Sequence, residues 1–406
     1  MRKRLSLKTI TLLAAFLLIV LELGFFFQDN IPFLKSIRFL ASANVLEKYA
    51  ADILKKCSSQ SRPPSCYDKE VPELLSKISL EQAFEVTKLI QEKDQGYFYC
   101  HVLGHNLSTK ETAKNPDKWK DVVARCPSNI CSNGCIHGAF QERFRQEALP
   151  DATIEELNLE LAGVCEKRPG WNPTNMKRAT CYHALGHLSM YMTDANIQKS
   201  TGLCEEITAL AASTGFTPIC FDGAFMQIFQ PLEPEDFALI EGKQPKREEL
   251  ASFCNEFERY RKGSCWNEGW PLFLDQITTP KGVVEFCSVL QEPFLQDRCY
   301  DAMFYVVPTQ FQFQENRIKD FCSKLPDPQR GKCFSNAASR FIETDARLVA
   351  KAAGMCEAAA NFNVAEECYN ELLFYSTYNF HKGSEDFKRL CNALPDPWNE
   401  KCLLRT

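Results

Sequence analysis

Apolar residues recur along most of this chain at intervals of three and four, the period of an amphipathic helix. Leu34, Ile37, Leu40, Val45, Tyr49 and Ile53 form one such stripe. They predict a helix over Phe33–Ile53, opened by Asn30 as a cap and Pro32 in its first turn. The same period continues to the C-terminus in short segments, each closed by Pro, Gly or a polar turn. In the last unit Ser384 is placed to cap a helix through Phe387 and Leu390, with Glu385 and Asp386 in its first turn. Leu394-Pro395-Asp396-Pro397 then stops it. The expected class is all-α.

One stretch departs from this period. Ile10 to Phe27 is apolar almost throughout, broken by Glu22, and follows Arg2, Lys3, Arg4 and Lys8. A bilayer core needs about 20 apolar residues, and basic residues stay on the cytoplasmic side. Residues 1–9 therefore read as a cytoplasmic stub and 10–28 as a signal anchor or transmembrane helix. Residues 29–66 read as a membrane-proximal helix, 67–230 as the first half of a repeat array and 231–406 as its second half. The only small-residue cleavage pattern, Ala41-Ser42-Ala43, lies far downstream. The expectation is a single-pass chain with its N-terminus in the cytoplasm and the rest extracytoplasmic, periplasmic or on the cell surface.

The cysteines turn a helical pattern into a repeat. Cys265, Cys299, Cys333, Cys368 and Cys402 follow one another at a nearly constant spacing. A second series, Cys254, Cys287, Cys322, Cys356 and Cys391, runs ahead of it at an equally steady offset. A period of about 34 residues with two helical segments is the mark of an α-solenoid of helical hairpins. One cysteine ends each first helix and the other begins the second, so a disulfide staples the hairpin at its turn. Adjacency pairs Cys57–Cys66, Cys165–Cys181, Cys204–Cys220, Cys254–Cys265, Cys287–Cys299, Cys322–Cys333, Cys356–Cys368 and Cys391–Cys402. Cys126–Cys135 fits the same rule and leaves Cys100–Cys131, a pairing that spacing alone does not decide. All 20 cysteines are then used, which implies an oxidising compartment. The absence of C-x-x-C pairs argues against structural zinc knuckles. A net charge of -5 argues against nucleic acid as a partner.

A longer repeat carries the candidate chemistry. His101-Val-Leu-Gly-His105 returns as His183-Ala-Leu-Gly-His187. Cys135-Ile-His137-Gly-Ala-Phe140 returns as Cys220-Phe-Asp222-Gly-Ala-Phe225. Both elements come back together, so two or more hairpins form a super-repeat of about 80 residues. A third copy places Trp266 and Trp270 where the histidines stood, with Cys299-Tyr-Asp301 as its second element. A fourth has Ser335 and Ser339, then Cys368-Tyr-Asn370. Histidines four apart share a helix face. His101, His105, His137, His183, His187 and Asp222 therefore offer five imidazoles and a carboxylate, a donor set suited to zinc or iron. Glu142 is a candidate general base. The repeated glycines Gly104, Gly138, Gly186, Gly223 and Gly269 mark places where helices are expected to cross closely. Packing alone would also account for buried histidines at such crossings.

The stapled helical hairpin resembles tetratricopeptide-class arrays, although that class's Trp, Leu-Gly and Tyr positions are not cleanly present. Over about residues 97–230, the C-H-x-x-G-H and G-C-x-H-G elements resemble uncharacterised exported cysteine-rich helical-repeat proteins of bacteria. The resemblance implies a scaffold that binds a protein, peptide or envelope ligand along a concave face, and it implies no activity. The alternative from the residues themselves is a metal-dependent hydrolase. Two longer connections, 166–180 and 230–247, interrupt the period and read either as binding loops or as solvated insertions.

Overall fold

The computed structural model describes residues 32–94, 96–97, 100–127, 130–131, 134–144, 151–231 and 234–405. Side chains are described from residue 43 onward, except at 151, 152, 234 and 235. The signal-anchor run falls outside the described residues, and no helix among them is long and apolar enough to cross a membrane.

The described chain is all-helical; its only β feature is an isolated bridge between Arg168 and Trp171. The first half contains α1 (Pro32–Cys57), α2 (Pro63–Glu73), α3 (Leu80–Lys93), α4 (His101–Ala113) and α5 (Trp119–Arg125). It continues with α6 (Gly134–Phe144), α7 (Asp151–Ala162), α8 (Asn175–Met192), α9 (Ile197–Leu210) and α10 (Thr217–Phe229). Then come α11 (Pro234–Leu239), α12 (Leu250–Cys254), α13 (Arg259–Glu268), α14 (Leu274–Ile277), α15 (Pro280–Ser288) and α16 (Pro293–Gln310). The chain ends with α17 (Glu315–Ser323), α18 (Gln329–Thr344), α19 (Val349–Ala359), α20 (Ala365–Asn379), α21 (Glu385–Ala393) and α22 (Trp398–Leu403).

Local sequence accounts for many of these boundaries. The expected helix over Phe33–Ile53 is the central part of α1, whose Leu46, Ala50, Ile53 and Cys57 are buried. Ser384 caps α21, accepting a hydrogen bond from the Phe387 amide at 3.3 Å. Ser79 and Gln82 form a capping box at the start of α3.

All ten expected disulfides are present, including Cys126–Cys135 and Cys100–Cys131. Nine close a hairpin turn, with sequence separations of 9 to 16. The tenth ties the start of α4 to the turn before α6, with a separation of 31. On a chain-entropy basis each short loop contributes about 3 kcal/mol.

The second helix of each hairpin packs on the next one. The succession runs α2, α4, α6, α8, α10, α13, α16, α18 and α20. The succession then comes back on itself, because α20 also touches α8. Two polar links accompany this return. Arg347 reaches Glu92 at 3.1 Å and Gln91 at 3.2 Å, and a ring nitrogen of His381 donates to the Asn172 carbonyl at 2.9 Å.

This return also involves the 166–180 connection. Trp171 is buried, Arg168 stacks over its ring at 4.2 Å, and Asn172 receives His381. Within it Trp171 and Thr174 are buried, while Lys167, Pro169, Gly170 and Asn172 are exposed.

Candidate metal centre

The glycines explain how histidines from different helices meet. A Cβ on Gly223 would lie 2.0 Å from the His183 carbonyl oxygen, and one on Gly186 would lie 2.0 Å from that of Cys220. The backbones of α8 and α10 are therefore in direct contact. Gly138 does the same for α4 and α6, its Cβ position lying 2.2 Å from the His105 carbonyl. Gly269 behaves differently. It caps α13 and meets only Leu250 side-chain atoms and its own helix, so the expected close crossing is absent there.

Close approach brings the imidazoles together. His183 Nε2 and His187 Nε2 lie 3.2 Å apart, one turn apart on α8. His137, from α6, offers a ring nitrogen such that the three ligand atoms lie within 4.8 Å of one another. Two imidazole nitrogens on one tetrahedral zinc are separated by about 3.3 Å, given Zn–N bonds of 2.0–2.1 Å. The ring centroids of His137 lie 5.6 Å from His183 and 5.0 Å from His187. His101 stands edge-on to His137 at 5.1 Å. His101 and His105 line a cavity of about 40 Å³ together with His137 and His187. That space holds a few waters.

The surroundings fix ring orientation. His187 Nδ1 pairs with Gln227 Oε1 at 2.7 Å, which leaves Nε2 as an acceptor toward the centre. His183 hydrogen-bonds the Ile219 backbone carbonyl, and its Nε2 lies 3.3 Å from Met226 Sδ. His137 Nε2 is buried with no hydrogen-bond partner among the described residues. Burial holds the pKa of His137 and His183 well below the ordinary imidazole value, with neighbouring histidines adding to the effect. Burial lowers that of His187 too, against its bond to Gln227 and the charge of Asp236. These rings are therefore neutral near pH 7, the form that binds metal.

Asp222 departs from expectation. Its two carboxylate oxygens accept Arg298 Nη2 at 3.1 and 2.9 Å, and it is not part of the three-histidine cluster. The negative charge of Asp222 adds to the burial of Glu268, and together they push the Glu268 carboxyl well above its usual range. Gln230 donates to Glu268 at 2.8 Å. The carboxylate expected at the centre thus belongs to a neighbouring Arg–Asp–Glu group. Glu142 is not among the residues lining the cavity.

Several cavity residues lie outside the expected set. Gln227 stands where Glu142 stands in the first copy, four residues past the motif glycine, so extending the repeat by two residues points to it. Asp236, from α11, lines the cavity and is buried. Its Oδ1 accepts a hydrogen bond from Tyr191 Oη, and Gln141 Nε2 donates to Tyr191 at 3.2 Å. Asp236 lies outside the repeat, so no periodic signal marks it.

The chain matches no protein-family model, no curated protein and no solved structure.

Proposed function

We propose that the chain is a metal-dependent hydrolase whose ion is held by His137, His183 and His187. The observation that carries this reading is the convergence of three neutral imidazoles, with the buried His137 nitrogen unpartnered. Neutral nitrogen donors suit zinc or iron. Three protein ligands beside a small cavity leave an open position, the pattern of catalytic rather than structural zinc. Bound there, zinc would polarise a substrate carbonyl and lower the pKa of water. His101 and His105 lie at the cavity edge and belong to the wall that receives substrate.

The wider reading follows. The hairpins form an α-solenoid with a period of about 34 residues and a super-repeat of about 80 residues. It is curled until α20 meets α8. The run at 10–28 anchors it in a membrane, and the array lies outside the cytoplasm; ten disulfides support an oxidising compartment. A scaffold offering an open concave face to a protein or peptide gains less support, because the stack returns on itself.

The test is elemental analysis. The full chain is produced in an oxidising compartment, stripped with chelator and titrated with Zn²⁺. One ion per chain is expected for the wild type and none for His187→Ala or His183→Ala. A folded wild type that retains no stoichiometric zinc or iron overturns the proposal.

A further inference from the structure

We propose that Asp236 is the proton acceptor of this centre, and that the 230–247 connection serves to deliver it. This inference rests on the metal reading above and assigns a role within that site.

Three observations converge on Asp236. First, it lies on α11, a short helix in the connection that breaks the repeat. Second, it nevertheless faces inward, lining the cavity with His101, His105, His137 and His187. A buried carboxylate is costly unless bonded, and the cavity is where this one is placed. Third, it is oriented. Tyr191 is four residues beyond His187 on α8, so the two share a helix face, and its hydroxyl donates to Asp236 Oδ1. Gln141, from α6, holds Tyr191 in turn. Three separate segments thus aim one carboxylate beside the histidines. The remaining wall carries the amides of Gln141, Gln227 and Gln230 and is otherwise apolar, Met226 and Phe140 included. Among the described residues it carries no fixed cation, so the substrate class is a small uncharged ester or amide.

The step balances without a further reactant. Asp236 takes a proton from a water in the cavity. The oxygen of that water bonds to the acyl carbon, and the bond from that carbon to the leaving oxygen or nitrogen breaks. Asp236 returns the proton to the leaving group. Tyr191 and Gln141 are positioning residues, since they act through Asp236.

The test uses the full chain loaded with Zn²⁺, p-nitrophenyl acetate with a panel of small uncharged esters and amides, and a Co²⁺-loaded sample titrated with azide. Asp236→Asn is expected to keep full metal stoichiometry and to lose roughly 100-fold or more in hydrolysis, the usual scale for a general base. Removing its charge should also tighten azide binding to the Co²⁺ form by roughly 10-fold, read from the visible spectrum. A purely structural Asp236 would leave azide affinity unmoved. Tyr191→Phe should give a smaller loss in hydrolysis with the metal retained. The inference is overturned if Asp236→Asn hydrolyses at the wild-type rate, if its azide affinity is unchanged, or if it loses metal as His187→Ala does, which would make Asp236 a ligand. A wild type that binds metal but turns over none of the panel also overturns it. Failure of the wild type to hold metal instead removes the reading beneath it.

Discussion

The two halves of the described array bury polar clusters on the same set of helices, yet the clusters differ in kind. In the first half, His137, His183 and His187 turn acceptor nitrogens toward one point, with no cation among them. In the second half, Arg340 and Glu343 on α18 meet Tyr305 on α16 and Tyr375 on α20. Arg340 stacks over the Tyr305 ring at 3.7 Å and lies 3.6 Å from the Glu343 carboxylate. Tyr305 and Tyr375 hydrogen-bond Glu343. The second cluster brings its own positive charge and donors, although Arg340 Nε and Glu343 Oε2 are themselves buried without a hydrogen-bond partner among the described residues. The first has no Lys or Arg among the described residues of its cavity wall, and on the proposed reading a metal ion would balance its convergent lone pairs. A buried polar group is evidence for a ligand when its own neighbours leave it unbalanced, and much weaker evidence when they do not.

The largest expected contrast is in metal uptake. His137→Ala should abolish stoichiometric zinc binding, whereas Arg340→Met should leave it unchanged; elemental analysis of both checks this. Equal loss in the two variants would show that general unfolding, and not ligation, is being read.

Stability should next separate the close crossing of α8 and α10 from an open helix face. Gly223→Ala forces a Cβ to within 2.0 Å of a backbone carbonyl on α8, which cannot swing away as a side chain can. A cost of about 3 kcal/mol is expected, at the upper end for overpacking. The control is Gly202→Ala in α9, where the added Cβ meets nothing within 4 Å. That change should stabilise by about 0.5–1 kcal/mol through helix propensity. Urea denaturation under non-reducing conditions measures both.

The third prediction concerns pH. Burial raises the Glu343 carboxyl from 4.5 to about 7, with Arg340 acting in the opposite direction. Its folded pKa lies above its unfolded one, so the folded state holds the proton more tightly. Its contribution is complete below about pH 4.5 and is lost as pH rises through about 7. The span corresponds to at most about 3 kcal/mol. Glu343→Gln should flatten the fall in stability between pH 5 and pH 8; an unchanged slope would assign it to other groups.

The smallest effect is expected at the return contact. Arg347 is partly exposed where it meets Glu92, so Arg347→Ala should cost about 1 kcal/mol or less in thermal or urea unfolding. A loss several times larger would mean that the contact of residues 346–348 with α3 organises the fold.

Much of this arrangement is legible in the chain because it is local or repeated. The hairpin staples follow from cysteine spacing, since a turn with a separation of 9 to 16 can close on few alternatives. The Ser384 cap follows from side-chain chemistry, and the gathering of five histidines from their shared helix faces. Asp222 is misplaced by the repeat for a physical reason. Its partner Arg298, at a separation of 76, wins the carboxylate through two charge-assisted hydrogen bonds. Asp236 is invisible to the pattern because it sits in an insertion, where periodicity carries no information. The contact of Asn172 with His381 is likewise hidden, since the two residues are 209 apart in sequence.

Sequence alone therefore determined the helices, the turns that stop them, the eight disulfides between adjacent cysteines and the register that puts histidines at close helix crossings. These depend on contacts within one unit or between adjacent ones, where spacing is enough. Only the tertiary structure decided which donors share a centre, which carboxylate joins them and how the two halves meet. Those outcomes depend on contacts between residues far apart in sequence, such as Asp222 with Arg298 and Asn172 with His381, which no single hairpin specifies.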